Sequence, residues 1–203
     1  MSSLSSFLAL FSSLLWGTAD FFGGNLTKKY KAVAVTAVSQ SFGLLFGILV
    51  ILFTSSWLAP NLSWNGYVIP GVLAGVMGFG GLTAFYAGLA TGRMGVVSPI
   101  SSLSVLIPLA YAIFGGEQPS RTQVIGMAIA LLGGFCASGP EIRGGVSAKP
   151  LIFATIAAFG FGGAITFIAR GSQVSPIMTM TTMRFTTFLI ALVLFAKFRT
   201  TGG

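Results

Sequence analysis

Histidine is absent from this 203-residue chain, cysteine occurs once, and aspartate and glutamate together number three. Without histidine the chain lacks the commonest general base and metal ligand. The lone Cys136 rules out a disulfide within the chain and any thiolate cluster, so it reads as packing in an apolar segment. Among the acids only Asp20 falls inside an apolar stretch, since Glu117 and Glu141 sit in connections. No intramembrane acid pair, ligand cluster or glycine-rich phosphate loop is present, which points away from an enzyme, a metal site and a cofactor. A channel filter and a ring of acids are missing too. Charged residues are only 7% of the chain, too few to solvate the surface of a water-soluble domain of this size.

What the chain has in excess is apolar length, with a mean hydropathy of +0.92. Seven stretches stand out: residues 4–24, 33–53, 67–89, 94–114, 122–138, 150–169 and 176–196. About 20 residues rising ~1.5 Å each cross a hydrocarbon core of roughly 30 Å, and only 122–138 is short of that. Backbone groups in lipid must bond within their own segment or within a closed barrel. Barrel strands alternate polar and apolar residues, which the run 42–53 does not. The fold class is therefore all-α, a polytopic transmembrane helix bundle in contact with membrane lipid. The first stretch has no cationic leader beyond the terminal amine and runs past a plausible cleavage point, so it reads as a span rather than a signal peptide. The formal charge of +8 is scattered at segment ends, with no basic face and no stacking motif, which excludes nucleic acid as a partner.

Charge also sets an expected orientation, because basic connections stay on the cytoplasmic side. Odd-numbered connections and the tail carry Lys28, Lys29, Lys31, Arg93, Arg143, Lys149, Lys197 and Arg199, whereas even-numbered ones carry Arg121 and Arg170. An outside N-terminus and an inside C-terminus follow. Internal repetition appears when the first and sixth segments are overlaid: Leu15, Trp16, Gly17, Thr18 and Ala19 fall on Gly160, Phe161, Gly162, Gly163 and Ala164. Segments one to five then form a first unit, residues 1–139, and residues 140–149 connect it to a partial second unit, residues 150–203. An odd number of helices per unit inverts the second relative to the first, an arrangement of many secondary transporters.

Three segments carry a resemblance to a known family: Leu14-Leu15-Trp16-Gly17-Thr18-Ala19-Asp20-Phe21, the junction from Phe85 to Pro99, and Gly115-Gly116-Glu117-Gln118-Pro119-Ser120-Arg121 with Gln123, Gly126 and Gly133-Gly134. In this order they resemble EamA-type members of the drug/metabolite transporter superfamily, whose usual form is ten helices in two inverted five-helix repeats. Many members have an Arg-Phe pair in helix 2; here Ser41-Phe42 stands there and Arg184-Phe185 is kept in the second unit. The resemblance implies secondary transport of small organic metabolites or drugs, coupled to protons or cations, by alternating access in a multi-pass bacterial inner-membrane protein. It also implies a substrate path between two halves. With three helices of the second repeat missing, the alternative is a truncated or non-transporting subunit that needs a partner or second copy, as in a homo-oligomer.

Candidate pathway residues follow from the cost of polar groups in lipid. Asp20 is the leading proton or cation site, because an ionised carboxylate there must be paired or face water. Arg184 is the lone base inside a span, and an Asp20–Arg184 pair would neutralise both, although their expected depths differ by roughly 12 Å. Ser98, Ser101 and Ser102, at i, i+3 and i+4, form one polar helix face. Pro108 cannot donate to the carbonyl of Ser104, which is left free as a ligand or simply packed. Trp16, Gln40 and Tyr86 are expected around the same space. Trp57, Trp64 and Tyr67 read as an interfacial belt, and Gly71, Gly75, Gly88, Gly92 and the fifth-segment glycines as close helix contacts.

Overall fold

The structure, a computed structural model, describes residues 3–91, 94–142 and 147–198. Among these, every regular element is helical: α1 Ser3–Leu26, α2 Ala32–Thr54, α3 Val68–Leu89, α4 Met94–Ser102, α5 Leu106–Phe114, α6 Arg121–Ile142, α7 Ala148–Ser172 and α8 Pro176–Phe198. Six segments are long and apolar enough to cross a membrane, α4 and α5 counting as one; α6 has 22 residues, some of whose side chains are outside the described set. Arg93, Arg143 and Arg199 lie outside the described residues, as does Gly92.

Local sequence explains the helix ends. Ser120 and Gln123 start α6 with a reciprocal capping box, the Ser120 amide donating to Gln123 Oε1 at 2.8 Å and the Gln123 amide to Ser120 Oγ at 3.3 Å. Pro176 opens α8, where its missing amide proton costs nothing, and Ser175 Oγ accepts from the Met178 amide at 3.3 Å. Ser55 closes α2 in the left-handed region at φ 52°, and Gly116, at φ 94°, follows the end of α5. The fourth expected span is broken. Residues Leu103–Val105 form a 3-10 turn between α4 and α5, one helical turn ahead of Pro108, whose ring and missing N–H disrupt the α-helical ladder there.

Lipid gives no hydrophobic drive for helix to meet helix, so close backbone approach has to hold the bundle. The central pair is α3 against α7. A methyl group added at Gly81 would lie 3.0 Å from the Cα of Gly160, so the two backbones touch there. Gly71 and Gly75 admit Thr182 and Thr186 of α8, and Gly88 admits Val97 and Phe153, as the sequence suggested. The α6 glycines differ: a methyl group added at Gly126 or Gly133 would meet nothing within 4 Å and one at Gly134 would lie 3.7 Å from Ser102 Oγ, because among the described residues α6 packs mainly on α4. Large apolar side chains cover the outside, with Phe53 and Phe114 among the most exposed, as expected of a surface bathed in lipid.

The pairing also sorts the chain's two ends. Gly24 of α1 meets Leu89 and Met94, and Gly88 meets Phe153, at the end that carries Lys28, Lys29, Lys31 and Lys149. Pro70 meets Gly171 at the opposite end, beside Arg170. Tyr67 is not an exposed belt residue; it is 2% exposed and its hydroxyl donates to the Leu58 carbonyl at 2.8 Å, pinning the α2–α3 connection.

Candidate functional site

A cavity of about 590 Å³ lies between α1, α2, α3, α4, α7 and α8. Each wall is a single helical stripe: Trp16, Gly17, Asp20 and Phe21 from α1; Gly78, Leu82, Phe85 and Leu89 from α3; Met94, Ser98, Ser101 and Ser102 from α4; Phe161, Ala164, Ile165 and Ile168 from α7; Met180, Met183, Arg184 and Thr187 from α8. Spacings of three and four residues place each set on one face, so the bundle itself aligns them. Gln40 is the α2 contribution.

Seven of the eight residues singled out from the sequence line this one space: Trp16, Asp20, Gln40, Ser98, Ser101, Ser102 and Arg184. Tyr86 stands apart. Its ring lies across Gly23 of α1, where an added methyl group would sit 2.5 Å from the hydroxyl, and it borders a smaller space between α1 and α2. Gly23 is required for this approach, and Thr27 Oγ1 holds the same end of α1 by donating to the Tyr86 carbonyl at 3.2 Å.

The Asp20–Arg184 ion pair that the sequence left open is not formed. Arg184 instead donates through Nη1 to Gln40 Oε1, and Gly43 gives its side chain room, an added methyl there lying 3.1 Å from Arg184 Nε. Pairing with α2 holds the guanidinium on the α2–α8 side of the cavity. Asp20, on α1, has no charged partner at hand among the described residues. It is half-buried. Among the serines, Ser102 bonds back to its own helix, donating to the Pro99 carbonyl at 2.7 Å, whereas the buried Ser101 Oγ has no hydrogen-bond partner among the described residues. The Ser104 carbonyl abuts α7: a methyl group added at Gly162 would be 2.8 Å from it.

The chemistry on offer is that of a binding cavity. Aromatic and methionine walls suit an organic body, and a carboxylate, a guanidinium, an amide and hydroxyls supply a few polar contacts. No group of three or more potential metal ligands occurs among the described residues. The wall residues missed from sequence, chiefly Phe85, Phe161, Met180 and Met183, look like ordinary lipid-facing residues in a chain this apolar. The available signal was their spacing from Arg184 and from the Gly160–Gly163 segment.

Residues 3–139 match the EamA-like transporter family. The chain belongs to that family. It is thus, by lineage, a multi-pass membrane transporter of small molecules. Comparison with curated proteins and with solved structures finds no match. In this EamA-like chain the matched region supplies α1 to α6, and α7 and α8 complete the cavity wall from outside it.

Proposed function

We propose that the chain carries small organic solutes across the membrane by alternating access, with Asp20 exchanging a proton or small cation for substrate. The observation that carries this reading is Asp20 itself. It is a carboxylate within a span, without a charged partner among the described residues, on the wall of a cavity large enough for an organic molecule. A half-buried carboxylate within a span is costly when ionised and unpaired, so binding a proton, a cation or a cationic substrate group relieves it. Trp16, Phe21, Phe85 and Phe161 offer faces to an aromatic or cationic body. The unpartnered Ser101 hydroxyl offers a polar contact.

A second reading has its own support. Ser98 and Ser102 line the cavity and are nonetheless exposed, so the cavity is open on their side, and a polar surface open to lipid is costly unless covered. A second copy or a partner subunit over that face would complete the path. The inverted division into residues 1–139 and 150–203 belongs to the same proposal. To test the carrier reading, the full chain is reconstituted in vesicles and substrate-dependent proton flux is followed with an internal pH dye. Flux from the chain alone supports it. Substrate binding without flux, together with a stable complex with another membrane protein, favours the subunit reading.

A further inference from the structure

Arg170, in the last turn of α7, gathers three hydrogen bonds from two separate parts of the chain, the α2–α3 connection and α5. Its Nε–H donates to the Trp64 carbonyl at 3.4 Å, Nη1–H to the Tyr111 hydroxyl at 3.1 Å and Nη2–H to Asn65 Oδ1 at 2.9 Å. The guanidinium carbon lies 4.9 Å from the Trp64 ring centroid, and that ring meets Phe167 edge-on at 6.3 Å. The planar fork of arginine fits this set, reaching three spread acceptors while lying against the Trp64 ring; a lysine ammonium, a compact point donor, cannot span them.

We propose that Arg170 is a latch that fastens α7 to the α2–α3 connection and to α5, keeping shut the end of the cavity away from the lysine-rich loops. The inference rests on the carrier reading above. Its geometry is that of a lever. Gly81 and Gly160 bring the backbones of α3 and α7 into contact, and Arg170 lies ten residues farther along α7, about 15 Å by helical rise. Between contact point and latch runs the cavity stripe Phe161, Ala164, Ile165 and Ile168. Opening this end by tilting α7 about the glycine contact separates Arg170 from Trp64, Asn65 and Tyr111. The three hydrogen-bond acceptors are uncharged and Arg170 is only half-buried, so water can replace each bond on opening and no acid is stranded. A hydrogen-bonded carboxylate in the same place would hold more strongly and open less readily.

The test uses the full chain in vesicles, with Cys136→Ser as background and Ile168→Cys as reporter on the cavity wall. A membrane-impermeant maleimide is added from the Trp64 side and the labelling rate is measured. Arg170→Ala is expected to raise that rate about fivefold or more, and Tyr111→Phe to raise it less, as a population shift toward the open form demands. An unchanged rate in both variants overturns the latch. If Arg170→Ala fails to fold, Tyr111→Phe and Asn65→Ala decide on the same criterion. Labelling needs no substrate, so the two readings separate. Flat rates beside intact transport overturn the latch alone, whereas faster labelling in a chain that transports nothing upholds the latch and overturns the carrier reading.

Discussion

Arg184 of α8 donates a hydrogen bond to the side-chain oxygen of Gln40 on α2, across a contact opened by Gly43. This bond satisfies a base inside the membrane without using the acid in the same cavity. Replacing Gln40 by Leu removes the acceptor and leaves a half-buried guanidinium under-bonded, a loss of about 1–3 kcal/mol. Thermal unfolding of the detergent-solubilised protein is expected to show a lower midpoint for Gln40→Leu. Gln40→Glu, which substitutes a charged acceptor of similar shape, is expected to unfold at or above the wild-type midpoint. Equal midpoints for wild type and Gln40→Leu would mean that Arg184 does not depend on this contact.

Glycines in this chain divide into two kinds, and substitution tells them apart. Gly160→Ala drives a methyl group into the backbone of Gly81 and the Met77 carbonyl, where neither can yield cheaply, and overpacking of this kind costs about 1–3 kcal/mol. Gly126→Ala meets nothing within 4 Å and adds helix propensity, so its effect is expected to stay within about 1 kcal/mol on the stabilising side. Comparing the two unfolding midpoints checks the packing scheme. A Gly126→Ala loss as large as that of Gly160→Ala would show that α6 is packed differently.

Orientation is testable with single cysteines in a Cys136→Ser background. Lys28, Lys29, Lys31, Lys149 and Lys197 gather at one end of the bundle, and Arg121 and Arg170 lie at the other. The basic end is expected to face the cytoplasm. An impermeant thiol reagent applied to intact cells is expected to label Ser63→Cys and to spare Lys29→Cys. The reverse pattern would invert the orientation while leaving the cavity unchanged.

The helices were legible because lipid imposes one simple rule, a long apolar run for each crossing, and all seven runs are helical. The break at residues 103–105 was foreshadowed by Pro108, whose lost hydrogen bond is a local property. Partners across helices were not legible. Nothing in the spacing of Gln40, Gly43 and Arg184 says that α2 meets α8 with those three in register, so the sequence left an Asp20–Arg184 pair open. Tyr86 misled for a related reason: its helix and depth suit the cavity, but Gly23 draws its ring to the other side of α1. The Arg170 cluster was hidden because Trp64, Asn65 and Tyr111 approach it only in the folded chain, from sequence separations of 106, 105 and 59 residues.

The central claim is that an unpaired carboxylate in the cavity couples transport to a proton or cation. Vesicles containing wild type, Asp20→Asn or Asp20→Glu, loaded with a pH dye and challenged with substrate, test it directly. Substrate-dependent proton flux is expected in the wild type, lost in Asp20→Asn by about tenfold or more, as for loss of a group acting in proton transfer, and partly kept in Asp20→Glu, with all three folded to the same extent. Undiminished flux in a well-folded Asp20→Asn protein would contradict the assignment of Asp20.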